Sequence, residues 1–213
     1  MYNFYKNRQL FPESEIIVRK SLNQIDFEDS IKGENAFKIV TACKNGFTMA
    51  KNKIMTTPRA YQNRNYKPNT LNSCIQGCMI EQFPYTSGFC KGRRYYVKVN
   101  NNLLFCKQIN KRFKPSNIQT RTVAMYDDQK SDNLNDTLPI TYIGYQVSES
   151  YIELLGIYAV HMVGGDIEWI SDIPSLACVE DSRATSTTME PEGKKGISVV
   201  PKIQTETVLK KTE

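Results

Sequence analysis

Four cysteines, Cys74, Cys78, Cys90 and Cys106, stand at the spacing C-x3-C-x11-C-x15-C, and four thiolates are one ligand set of a tetrahedral zinc site. The spacing is poor evidence for a metal. A second close pair is missing, and Cys74 and Cys78 fall on the apolar stripe of a predicted helix, where thiols act as small apolar side chains. Asp127, Asp128, Asp132 and Asp136 lie in DDQKSDNLND, which lacks the glycine and terminal glutamate of a calcium loop and reads as a solvated turn. His161 is the single histidine of the chain and sits in an apolar strand pattern with no nucleophile partner, so a hydrogen-bonded core histidine is expected. No GxxxxGK(S/T), GxGxxG or GxSxG pattern occurs. No catalysis, metal or cofactor is expected.

The strongest local motif is KGRRYYVKV at 91–99. Side chains alternate along a strand, so Arg94, Tyr96 and Lys98 share one face, with Lys91 and Arg93 at a turn or strand edge. Tyr95 and Tyr96 point to opposite faces, and one of the two is a surface ring. Lys107, Lys111, Arg112, Lys114 and Arg121 follow closely. Together, Lys91, Arg93, Arg94, Tyr96, Lys98, Lys107, Lys111, Arg112, Lys114 and Arg121 are the expected nucleic-acid-binding residues, the cations meeting phosphates and the ring stacking on an unpaired base.

Charge along the whole chain supports that choice. The formal +6 hides a split: residues 1–121 carry 21 Lys/Arg against 7 Asp/Glu, and 122–213 carry 7 against 15. Between Asn35 and Arg121 there are 16 basic residues and one acid, Glu81. Such a field repels itself in the folded state and attracts polyanions. Nucleic acid is the first partner it suggests and an anionic membrane face the second, with a homo-oligomer also expected.

The elements expected to position these groups are mostly strands. Runs rich in β-branched and aromatic residues recur between turn residues: AFKIVTAC (36–43), Asn45-Gly46, FTMAKNKIM (47–55), RRYYVKV (93–99), LLFCKQI (103–109), IQTRTVAMY (118–126), PITYIGYQV (139–147), LLGIYAVHM (154–162) and DIEWIS (166–171). Asn100-Asn101-Asn102 and Gly164-Gly165 suit tight turns. One helix interrupts the rhythm. Asn69 is its expected cap, and Leu71, Cys74, Ile75, Cys78 and Met79 form a single stripe at helical spacing that should lie on the sheet. The expected fold is all-β, a jelly-roll-like β-sandwich with one covering helix. Residues 1–34 read as an N-terminal arm or helix, 35–179 as a β-rich core domain, and 180–213 as a disordered tail too polar to offset its ordering entropy.

With 40% apolar residues the chain can bury a core, which excludes a chain disordered throughout. The weakly polar stretch at 154–165 is too short for a membrane span, which needs about 20 apolar residues. MYNFYKNRQLFPESE has no signal-peptide pattern, so the chain is not expected to be secreted and its cysteines are expected as reduced thiols.

Three blocks resemble, in order, the thirty-kilodalton superfamily of plant-virus movement proteins. AFKIVTACKNGFTMAKNKIMTTPR is similar to paired strands joined by an NG-type turn, YYVKVNNNLLF to a strand with an F-x-V-x-P-x-F pattern, and PITYIGYQVSES to a late I-T-Y-x-x-G-Y strand. The resemblance implies a jelly-roll domain that binds single-stranded nucleic acid without strong sequence preference. It also implies transport of viral genomes between cells, in host cytoplasm and at plasmodesmata. CKGRRYY, MYDD at 125–128 and LLGIYAVHMVGGDIEWISDI at 154–173 resemble rhabdovirus matrix proteins instead. That implies a structural protein that self-associates and binds nucleocapsid or anionic membrane.

Overall fold

A computed structural model describes residues 16–90, 94–116, 120–131 and 137–177. In chain order the elements are strand β1 (Ile17–Val18), helices α1 (Gln24–Ile31), α2 (Glu34–Thr56) and α3 (Tyr66–Gln82), and strands β2 (Ser87–Cys90), β3 (Arg94–Val99) and β4 (Asn102–Gln108). Helix α4 (Arg121–Asp127), strands β5 (Lys130–Ser131), β6 (Ile140–Val147), β7 (Leu154–Val163) and β8 (Asp166–Asp172), and helix α5 (Ile173–Ala177) complete them. Six strands form one sheet in the order β2-β3-β4-β6-β7-β8, and β1 pairs with β5 separately. Strands β4 and β6 run parallel while the other neighbours in the large sheet are antiparallel.

This mixed α/β architecture corrects the all-β sandwich with one covering helix. Residues 36–55 are not two strands around an Asn-Gly turn but the 23-residue helix α2. Ala36, Ile39, Val40, Cys43, Gly46, Phe47, Ala50 and Ile54 are buried along it, a spacing of three and four that outweighs the strand preference of its few β-branched residues. Gly46 serves a helix contact rather than a turn, since a Cβ there would meet Ile75 backbone atoms at 2.5 Å. The strand expected at 118–126 is likewise replaced, over its described part, by α4. Thr120 Oγ1 accepts the Val123 amide at 3.3 Å as a cap, and Val123 and Tyr126, three apart, face inward.

Helix α3 buries the expected stripe of Leu71, Cys74, Ile75, Cys78 and Met79. It begins earlier than Asn69, because Pro68 falls in the first turn, where a missing N–H costs nothing. The stripe packs against α2 as well as the sheet. The remaining expected strands stand as β3, β4, β6, β7 and β8. Gly164 and Gly165, at φ +62° and +80°, make the β7–β8 turn, and Asn100, at φ +49°, lies in the β3–β4 turn.

Side-chain alternation divides the sheet. Tyr95, Val97, Val99, Leu104, Cys106, Ile143, Tyr145, Ile157 and Ala159 pack with α2 and α3 in the main core. Phe105, Ile140, Tyr142, Val160 and Met162 form a second cluster on the other face with Tyr126 of α4 and Ile109. Strand β6 is buried on both faces from Ile140 to Tyr145, which is why its sequence is a continuous apolar and aromatic run. Helix α1 docks on β8: Phe27 and Ile31 are fully buried, Trp169 Nε1 donates to the Leu22 carbonyl at 2.9 Å, and Ser171 Oγ donates to Glu28 at 2.6 Å. Among the described residues no helix is long and apolar enough to cross a membrane. The tail expected at 180–213 lies outside the described residues.

Candidate nucleic-acid interface

Chain direction decides which cations meet. Strands β4 and β6 finish at one end of the sheet, and β7, antiparallel to β6, starts there. Helix α3 also starts there, because Lys67 Nζ lies 5.8 Å from the ring centre of Tyr151 in the β6–β7 loop. Helix α2, packed antiparallel on α3, therefore ends there with the connecting loop 57–65.

That loop is fixed to the helices. Gln62 Nε2 donates to the carbonyls of Ile54 and Thr57 at 2.9 and 2.7 Å, satisfying acceptors that the end of α2 leaves open. Thr57 Oγ1 and Tyr66 Oη share a hydrogen bond of 2.7 Å. Lys51 and Lys53 on different sides of the last turns of α2, Arg59 and Arg64 in the loop, and Lys67 on α3 thus lie at one hairpin tip. Tyr61 stands 76% exposed among them. None of Lys44, Lys51, Lys53, Arg59 and Arg64 has a described carboxylate within 4.0 Å.

The ten residues chosen from sequence are distributed differently. Lys91 and Arg93 lie outside the described residues. Arg94, Tyr96 and Lys98 share a face of β3, as alternation requires, but only Lys98 of the three is exposed. The Arg94 guanidinium lies over the Tyr126 ring, 5.1 Å from its centre, so part of its surface is already used. Tyr96 is half-buried, while Tyr95 on the opposite face is buried. Lys107 on β4 is half-buried, and burial, with the like charge of Arg94 second, holds its pKa below the usual lysine value.

Lys111 and Lys114 face acids of the C-terminal half, at 3.8 Å from Glu149 and 3.4 Å from Asp166. Exposed pairs of this kind are worth little. Lys114 also donates to the Gly165 carbonyl at 3.1 Å, which draws it to the β7–β8 turn, away from the hairpin tip. Arg112 is exposed beside Lys111, and Arg121 opens α4 in solvent. Lys98, near the end of β3, lies at the opposite end of the sheet from the tip. Lys111 and Arg112 follow β4 at the tip's end of the sheet, whereas Arg94 and Lys107 project from the face that carries Tyr126, opposite α2 and α3, and Lys98 and Lys114 lie toward the other end. Lys51, Lys53, Arg59, Arg64 and Tyr61 are the residues sequence reasoning missed; their signal was membership of the acid-free run.

The sheet is also polarised across its width. Arg94, Lys98 and Lys107 occupy β3 and β4, whereas Asp166, Glu168 and Asp172 are exposed on the edge strand β8.

Of the other groups weighed from sequence, Asp132 and Asp136 lie outside the described residues, and the described ones pack into the fold. Cys74, Cys78 and Cys106 belong to the core between helices and sheet, but Cys90 sits on the opposite face, 3.4 Å from the Arg94 carbonyl. No group of three His, Cys, Asp or Glu side chains suited to a metal occurs among the described residues. Burial pushes the Cys106 thiol up to about 12 and raises that of Cys43. Asp127 departs from the expected solvated turn, being buried and accepting the Tyr142 hydroxyl at 2.6 Å, whereas Asp128 is partly exposed in a turn beside Lys130. His161 is 1% exposed, stacks on Trp169 and places Nδ1 2.9 Å from the Ile140 carbonyl. A carbonyl only accepts, so Nδ1 carries the proton. Burial lowers its pKa, partly offset by that carbonyl and by Glu168.

Comparisons with protein-family models, curated proteins and solved structures find no match for the chain.

Proposed function

We propose that this protein is a non-enzymatic binder of single-stranded nucleic acid that docks through the end formed by the α2–α3 hairpin tip and the loop after β4. The observation that carries the reading is the set Lys51, Lys53, Arg59 and Arg64 at the tip, which has no described carboxylate within 4.0 Å. Phosphates then supply the missing counter-charge, releasing condensed cations on binding. The exposed Tyr61 ring between Arg59 and Arg64 suits an unpaired base, for which stacking is worth about 1 to 3 kcal/mol. A gel shift with a single-stranded oligonucleotide, competed by duplex of equal length, tests this. Duplex that competes as well as single strand counts against the stacking role, and no shift counts against the whole reading.

A second reading takes the same end to an anionic membrane, as in a self-associating matrix or structural protein. Met55, 71% exposed beside the cations, favours it, and the acidic β8 edge offers the basic end of another copy a complementary surface. Flotation with anionic liposomes separates the two. Cell-to-cell movement at plasmodesmata, in host cytoplasm, is a narrower proposal resting on the resemblance of YYVKVNNNLLF and PITYIGYQVSES. Its jelly roll is absent from the described residues, and its first block, 36–59, is largely the helix α2. Restored spread of a movement-deficient virus is the test.

A further inference from the structure

Arg94, the first residue of β3, and Lys107, near the end of β4, are neighbours on the sheet face opposite α2 and α3. Strands β3 and β4 are antiparallel, and continuing their register past Val97 and Leu104 brings the two cations level. We infer that this pair binds a phosphate group carrying two negative charges, as inorganic phosphate or as the monoester at the 5′ end of a strand.

Among the described residues nothing balances the pair. Neither side chain has a hydrogen-bond acceptor or a carboxylate within reach. Asp127, on α4 over the same face, gives Oδ1 to the Tyr142 hydroxyl at 2.6 Å and forms no ion pair with either cation. Like charges facing each other across antiparallel strands are destabilising, and both groups are half-buried, where water screens them less. Lys107 registers this, its pKa lowered by burial first and by Arg94 second. The ladder between β3 and β4 runs from Val99–Asn102 to Val97–Leu104 and stops short of the two cations.

The surroundings position both groups. The Arg94 guanidinium rests over the Tyr126 ring, 5.1 Å from its centre, and Tyr126 is itself stacked on Phe105 with ring centres 5.5 Å apart. The cation–ring contact uses none of the N–H donors of the guanidinium, so a fork held by the core keeps them for an anion. On the other side of Lys107 lies its β6 partner Gly144, whose missing side chain is replaced by Ile109: a Cβ there would stand 2.6 Å from it. The Lys107 stem is therefore bounded by Ile109 on one side and Arg94 on the other. This arrangement selects the ligand's chemistry. A carboxylate brings one charge and two oxygens, whereas a phosphate monoester brings nearly two charges and three acceptor oxygens, enough to meet a bidentate guanidinium and an ammonium together.

The free ion and the strand end share that chemistry, and only the second rests on the nucleic-acid reading above. Equilibrium dialysis of the full chain with inorganic phosphate at low salt is the test. Saturable one-to-one binding is expected, with chloride at equal ionic strength a poor competitor, and weakened about tenfold by Lys107→Met and by Arg94→Gln. Thermal unfolding guards against a folding defect. Phosphate should raise the wild-type midpoint. Lys107→Met keeps an apolar stem and removes an unbalanced charge, so in phosphate-free buffer it should unfold no earlier than wild type while losing the phosphate-dependent rise. A 5′-phosphorylated oligonucleotide that displaces inorganic phosphate where its 5′-hydroxyl counterpart does not assigns the strand end; failure of both to displace it assigns the free ion. Displacement by both alike overturns the choice of a doubly charged group. No saturable phosphate binding, binding indifferent to Lys107 and Arg94, equal competition by chloride, or earlier unfolding of Lys107→Met without phosphate overturns the site itself. The hairpin-tip reading is judged separately, by direct binding of the 5′-hydroxyl oligonucleotide.

Discussion

Gly46 on α2 meets Ile75 on α3 backbone to backbone: a Cβ on Gly46 would stand 2.5 Å from the Ile75 Cα and 2.8 Å from its nitrogen. This contact sets the spacing of the hairpin that carries Lys51, Lys53, Arg59 and Arg64. Gly46→Ala should therefore destabilise by about 1 to 3 kcal/mol, despite alanine's helix preference of about 1 kcal/mol. Gly77 on α3 has open space around its Cβ position, so Gly77→Ala should stabilise by about 0.5 to 1 kcal/mol. Urea unfolding of the two variants checks the opposite signs.

Acidification should act through His161. Its folded pKa is lowered mainly by burial, so the unfolded state binds the proton first, and stability present above about pH 6.5 declines as pH falls toward the folded value. Because the chain has one histidine, a single imidazole resonance reports the titration, and its midpoint should lie below 6.5. Glu168 raises that pKa, so Glu168→Gln should lower the midpoint further and enlarge the loss of melting temperature between pH 7 and 5.

The thiols should sort by burial. Cys43 and Cys106 have raised pKa values from desolvation, whereas Cys90 is half-buried. A thiol reagent at pH 8, followed by mass mapping, should label Cys90 ahead of Cys43 and Cys106 in the native protein.

Gln129 is a buried crosslink. Its Nε2 donates to the carbonyls of Ile140 and Met162, both at 2.9 Å, and its Oε1 accepts the Ile140 amide at 2.9 Å. Gln129→Leu should cost about 1 to 3 kcal/mol or more, since it strands buried backbone groups. Thermal unfolding against wild type measures it.

Strands β3, β4, β6, β7 and β8 and the stripe of α3 were legible because one period dominated each segment. Helix α2 was not, because Asn45-Gly46 is a turn signal in isolation and the Ile75 contact that explains Gly46 is long-range. The same misreading scattered the interface: Lys51 and Lys53 on a strand have no reason to join Arg59 and Arg64, whereas at the end of a helix they do. The abundance of cations was visible in composition, but their position depended on α2 and α3 running antiparallel.

The most direct measurement is the salt dependence of binding to a single-stranded oligonucleotide. A plot of log affinity against log salt should fall with a slope of about −0.7 for each phosphate contacted. Replacing Lys51, Lys53, Arg59 and Arg64 together by alanine should make that slope shallower by about 3 while the fold is retained. A wild-type slope near zero, or a slope unchanged in the fourfold variant, would contradict the account.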